Sequence, residues 1–209
     1  MPRWLAGILT VAALTACGAG DGAAARVSGT VPSRSVTTPT SVSDRCQVPV
    51  EGGELVEVVG PAGSVMTGAV MGGADTVAVY LHQTSPAGFC GWTVYAAWAA
   101  RRGVGAVLVD LCGWGRSRCK GAFASDPAAL AAPRTTVPLL VAIASGDRAM
   151  QPADVRAAFD TSPATVKKFV SPPSGHGWGM LNDGTDADPV WTPLAQTVLA
   201  WVKGDYAAA

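Results

Sequence analysis

The fold is read from Val104-Gly105-Ala106-Val107-Leu108-Val109-Asp110-Leu111-Cys112-Gly113-Trp114-Gly115-Arg116-Ser117. Its first eight residues are apolar apart from Asp110 and too few for an independent helix, which reads as a strand buried in a sheet. Glycine and polar residues then take over, so the chain leaves that strand through a loop. Upstream, Thr76-Val77-Ala78-Val79-Tyr80-Leu81 is another short, continuous apolar run. It suits a strand buried on both faces. Between the two, residues 93–102 carry Val94, Ala97, Trp98 and Arg101 at three and four spacing and stop at Gly103, the pattern of a helix with a glycine end. Further out, residues 55–59 and 65–71 form a strand pair about Gly60-Pro61. Downstream the alternation resumes with a strand at 137–144, a helix at 152–159, a strand at 165–170 and a helix at about 189–202. Strands alternating with helices imply an α/β class, with a mostly parallel sheet and helices on both faces.

The beginning of the chain is different in kind. A basic start at Arg3, an apolar run over residues 4–14 and the tetrapeptide Leu14-Thr15-Ala16-Cys17 read as a secretory signal rather than structure. The run is well short of the ~20 residues that a spanning helix needs. The tetrapeptide resembles the bacterial lipobox. That resemblance implies cleavage before Cys17, lipid on its sulfur, and a mature protein anchored on the extracytoplasmic face of the cell membrane. Residues 18–43 are Gly, Ala, Ser, Thr and Pro with almost no large apolar side chain, the composition of a flexible tether. The expected organisation is a signal over 1–16, a lipidated cysteine and linker over 17–44, and a folded domain over 45–209.

Composition narrows the partners. With a formal net charge of zero, 49% hydrophobic and 14% charged residues, the chain has no basic excess with which to neutralise phosphates, so nucleic acid is not an expected partner. Four cysteines remain after Cys17: Cys46, Cys90, Cys112 and Cys119. In an exported protein an even number suggests up to two disulfides, for which three connectivities exist. The preferred one joins Cys46 with Cys90 and Cys112 with Cys119. The two histidines fall on different loops and no C-x-x-C is present, so no metal and no other cofactor is expected.

In an open parallel sheet, functional groups gather just past the strand carboxyl ends. Those positions hold His82-Gln83-Thr84, residues 110–117, Ser145-Gly146-Asp147, and Ser174-Gly175-His176-Gly177-Trp178. An acid past one strand and a histidine past the next can meet, the carboxylate fixing the imidazole tautomer and the imidazole acting as base. The strand ending in Leu81-His82-Gln83, the Cys90-Gly91-Trp92 start of the first helix, Asp110-Leu111-Cys112-Gly113-Trp114-Gly115-Arg116-Ser117, Val137-Pro138-Leu139 running into Ser145-Gly146-Asp147, and Gly175-His176-Gly177-Trp178 occur in one order. In that order they resemble the α/β-hydrolase family, in its dienelactone-hydrolase-like and esterase branches, over nearly all of the domain. The resemblance implies Asp147 as acid, His176 as base, and His82 and Gln83 near the oxyanion region.

One part of the pattern is absent. These enzymes carry their nucleophile in G-x-S-x-G or its cysteine variant, before the acid in chain order, and neither occurs in this chain. Fewer than twenty residues lie between Lys120 and Pro138, where the family needs a nucleophile strand, a second strand and their helices. The central part of the fold is shortened, as if removed near Ser125-Asp126. The strand at 76–81 is then expected to pair with that at 137–144 in a six-stranded sheet, with some apolar surface left uncovered. Ser117 is the one hydroxyl placed to substitute as nucleophile; Cys90 and Cys112 would be silenced by disulfides. Gly113-Trp114-Gly115 is not a dinucleotide loop, because Arg118 stands where the third glycine belongs and Asp110 is misplaced. The expected function is that of a lipoprotein derived from serine ester hydrolases and degenerate for want of a nucleophile. Alternatives are a non-catalytic surface protein that binds a small acyl ester or other apolar ligand, and a damaged gene product without activity.

Overall fold

The computed structural model describes residues 39–59, 63–82, 85–118, 136–148 and 151–209. The signal, Cys17, Gln83, Cys119 and the shortened stretch near Ser125 lie outside the described residues.

Strands β1 (Glu54–Val59) and β2 (Val65–Met71) pair antiparallel with Glu54 opposite Val70 and Val59 opposite Val65. Two more strands, β3 (Val77–Leu81) and β4 (Gly105–Val109), pair parallel, and β2 runs antiparallel to β4, giving the order β1-β2-β4-β3. A second, parallel sheet joins β5 (Leu139–Ala142) to β6 (Lys167–Val170). Among the described residues the strands thus form two sheets where one was expected, with parallel and antiparallel pairings in equal number, and β3 and β5 do not pair with each other.

Helix α2 (Thr93–Ala100) is buried nearly all round, with Tyr95, Ala96 and Trp98 in the main core and contacts to β4 and β2. Helix α3 (Pro152–Asp160) lays Phe159 on Leu139 and Ala164 in a small core of the second sheet. Helix α4 (Pro193–Val202), capped by Thr192, whose Oγ1 accepts from the Ala195 N–H, packs on α2, where the Tyr95 hydroxyl donates to the Ala195 carbonyl at 3.0 Å. Ala142 and Val170 reach the same core, so one apolar interior spans both sheets. Leu194, Val198 and Val202 of α4 line a cavity together with residues of β3 and β5.

The strand β3 was expected to be buried on both faces. Instead it alternates, with Ala78 and Tyr80 buried and Val77, Val79 and Leu81 exposed at 46, 39 and 38%. The register sets Val70, Val107 and Val79 side by side on that open face. These valines leave an apolar strip of the sheet exposed.

The folded part begins earlier than residue 45. Helix α1 (Val42–Cys46) is capped by Ser41, which accepts from the Asp44 N–H, and buries Val42 in the core. Cys46 is bonded to Cys90, the preferred pairing. Cys112 is disulfide-bonded as well; its expected partner, Cys119, lies outside the described residues. Among the described residues no helix is long and apolar enough to cross a membrane.

Candidate functional site

The acid and the histidine are delivered by the two strands of the second sheet. After β5 the chain turns at Ser145-Gly146, with the Asp147 N–H donating to Ala144 O at 3.1 Å. After β6 it runs alongside: Ser145 N–H donates to Pro172 O at 2.9 Å, and the Ser171 hydroxyl donates to Ile143 O at 3.0 Å. These cross-links fix one loop against the other. Gly175 at φ +101° turns the second loop where a Cβ would press on Met180 and the Gly179 carbonyl. His176 then enters a 3₁₀ turn, Gly177–Met180, in extended conformation.

The result is a hydrogen-bond contact of 2.8 Å between His176 Nδ1 and Asp147 Oδ2. The Asp147 side chain is 4% exposed and that of His176 34%. A carboxylate at Nδ1 favours the proton on that nitrogen and leaves Nε2 with the lone pair of a base. The pair can therefore take up and return a proton on a group presented to Nε2. Among the described residues no hydroxyl or thiol is hydrogen-bonded to this imidazole.

Beside the pair lies an apolar cavity of about 80 Å³ between the edges of β3 and β5. Gly177, the residue after His176, lines it together with Tyr80, Val141, Met180, Leu194 and Val198. The resemblance would set the nucleophile strand next to β3. That side of β3 borders the cavity.

Ser117 is elsewhere. Its hydroxyl donates to Asp110 O at 2.6 Å and accepts from the Thr67 N–H at 2.8 Å, and the residue is buried. Those contacts weld the loop after β4 onto β2, the work of a structural hydroxyl; the structure does not bring it to His176. Cys90 and Cys112 are disulfide-bonded and so are no nucleophiles. His82 is buried, its Nε2 accepting from the Leu111 N–H at 2.9 Å and its ring edge-on to Trp114 at 6.4 Å. It fastens the same loop rather than facing the cavity.

The residue that sequence reasoning missed is Asp110. Fully buried, it accepts from the Phe89 N–H at 2.9 Å, the Arg116 N–H at 2.8 Å and the Thr67 hydroxyl at 2.9 Å, and pairs with Arg45 at 3.3 Å. Gly88 and Gly115 close over it: a Cβ on either would overlap its carboxylate. The signal was an acid at a strand end between two glycine turns.

Asp110 and the acid–base pair are mechanically joined. The 3₁₀ turn Gly88–Trp92 starts at the Phe89 amide held by Asp110. Further along it, Trp178 rests on Gly91, which has no room for a Cβ, and Trp92 donates its indole N–H to Leu81 O at 3.0 Å. The loop that carries His176 thus sits on the turn that carries Cys90.

Comparison with family models, curated proteins and solved structures returns no match. Function must be argued from this geometry. Among the described residues no cluster of three or more His, Cys, Asp or Glu could hold a metal ion.

Proposed function

We propose that this chain is an α/β-hydrolase-like lipoprotein of ester-hydrolase descent that keeps its acid–base pair and has lost the nucleophile, and that it does not turn over acyl esters through an acyl-enzyme. The observation that carries the reading is the 2.8 Å contact between His176 and the buried Asp147 carboxylate, built by the exits of two neighbouring parallel strands. An acid and base alone do not form an acyl intermediate; they activate a hydroxyl or thiol within about 3 Å. Ser117, the one expected substitute, has its hydroxyl occupied by two main-chain partners. Loss of the nucleophile alone cost about 10⁶ in turnover in a well-studied serine protease.

The test is hydrolysis of p-nitrophenyl acetate and butyrate by wild type, Ser117→Ala and His176→Ala. Rates near background for all three are expected. Wild-type turnover on the order of 10 per second, abolished by His176→Ala, would overturn the proposal.

A second reading, a binding protein for a small apolar or acyl-bearing ligand, is favoured by the cavity between β3 and β5, whose walls are almost wholly aliphatic and aromatic. Quenching of Trp92 fluorescence by short acyl esters, lost on Val198→Trp, is the expected sign; no saturable quenching contradicts it.

A further inference from the structure

We propose that the Cys46–Cys90 disulfide is a redox-sensitive latch, whose opening releases α1 from the domain, withdraws Arg45 from the buried Asp110 carboxylate and loosens the turn on which the His176 loop rests. The inference stands apart from the esterase ancestry, because it uses only contacts on the page.

Helix α1 is five residues long, far below the length at which a helix persists by itself. It is attached through Val42 in the core, the disulfide, Arg45, the Thr93 hydroxyl on Cys46 Sγ at 3.4 Å, and Ser43, whose hydroxyl donates to Val50 O at 2.6 Å and accepts from the Val50 N–H at 3.1 Å. Arg45 sits next to Cys46 in the chain and touches Cys90 itself: its guanidinium donates to Cys90 Sγ at 3.6 Å, to Ala87 O at 3.3 Å and to Asp110 Oδ2 at 3.3 Å, and lies over the Phe89 ring. The disulfide therefore holds in place the guanidinium that meets Asp110. Asp110 in turn holds the Phe89 and Arg116 amides. From Phe89 the turn runs through Cys90 to Gly91, under Trp178, and to Trp92 on the cavity wall.

Both cysteines are half-buried rather than enclosed in the core, and a small dithiol is the reductant proposed. A thiolate of the dithiol attacks one Sγ, breaking the S–S bond and forming a mixed disulfide, while the other cysteine leaves as a thiolate and takes a proton. The second thiol of the reductant then closes its own disulfide and frees the remaining cysteine. Two electrons and two protons pass to Cys46 and Cys90. What remains on α1 is one buried valine, the contacts of Arg45 with Asp110, Ala87 O and the Phe89 ring, and the Ser43–Val50 hydrogen bonds, few enough for a five-residue segment to open locally.

The experiment is hydrogen exchange, read by mass spectrometry on the full chain, for wild type, Cys46→Ser/Cys90→Ser and Arg45→Gln. The double variant leaves the disulfide of Cys112 intact. Exchange about tenfold faster at the Asp44, Phe89 and Arg116 amides and in residues 174–180, with β6 and α4 unchanged, is expected. Arg45→Gln, with the disulfide present, is expected to speed Phe89 and Arg116 but not Asp44, whose amide is bonded to Ser41. Unchanged Phe89 and Arg116 exchange in the double variant overturns the latch. Equal acceleration through α4 and β6 overturns it too, because the bond would then hold the whole core. In parallel, wild type is treated with dithiothreitol and alkylated without denaturant. Modification of Cys46 and Cys90 in the folded protein is expected; modification only in urea contradicts the redox part.

Discussion

Replacing Asp110 by Asn isolates the buried carboxylate with almost no change of shape. Oδ1 accepts from Phe89, and Oδ2 accepts from Thr67, Arg116 and Arg45. Asparagine has one oxygen. With that oxygen in the Oδ2 place, the new amide faces the Phe89 N–H at about the 2.9 Å now spanned by a hydrogen bond; in the Oδ1 place it faces three donors. Either way a buried donor is left without an acceptor, at ~1–3 kcal/mol each, and the guanidinium of Arg45, 13% exposed, loses its charge partner. Removing one member of a buried ion pair costs about 3–5 kcal/mol, a large part of the roughly 5–15 kcal/mol that stabilises a domain. With a urea slope of ~2 kcal/mol per molar, the unfolding midpoint falls by about 2 M. Adding Arg45→Met removes the orphaned charge, so the double variant loses less than the two single losses together. A shift in Asp110→Asn below about 0.5 M, with the slope unchanged, would refute the reasoning, because it would mean the carboxylate is not what organises these loops.

Gly88→Ala is expected to lower stability by more than ~2 kcal/mol in thermal unfolding, since φ is +62° and its Cβ would enter the Asp110 carboxylate; Gly113→Ala, at φ +82° with open space around it, loses only ~1 kcal/mol. Burial raises Tyr80 and Tyr95 above the ordinary tyrosine value of 10.0, with the Tyr80 charge adding to the effect on Tyr95. The folded state then keeps protons that the unfolded state gives up, so this stability is complete below pH ~10 and is lost as pH rises; titration at 295 nm is expected to find two of the three tyrosines protonated until the protein unfolds. Cys17→Ser is expected to move the protein from the membrane to the soluble fraction; identical fractionation, with no acyl chain found on Cys17, contradicts the lipobox reading.

The elements most legible in the sequence were those whose signal is local. Two residues of punctuation, Gly60-Pro61, marked the hairpin of β1 and β2. Apolar runs gave β3 and β4 to within a residue or two, and Gly103, at φ +81°, ended the helix just beyond α2. Asp147 and His176 met because strand exits converge in a parallel pair, which alternation alone implies. What stayed hidden depends on non-local packing. The pattern of β3 could not tell burial on two faces from burial on one, since its outer valines remain apolar even where no described helix covers them. That β3 and β5 fall in different sheets depends on long-range packing that no periodicity records. Asp110 looked like a misplaced member of another motif because its partners Thr67, Phe89, Arg116 and Arg45 come from four segments.

The proposal that the acid–base pair lacks a nucleophile is tested most directly by exposing the purified full chain to a fluorophosphonate probe, which bonds to an activated serine hydroxyl. No adduct by intact mass is expected, for wild type and for His176→Ala alike. A stoichiometric adduct on one serine of the wild type, absent in His176→Ala, would contradict it.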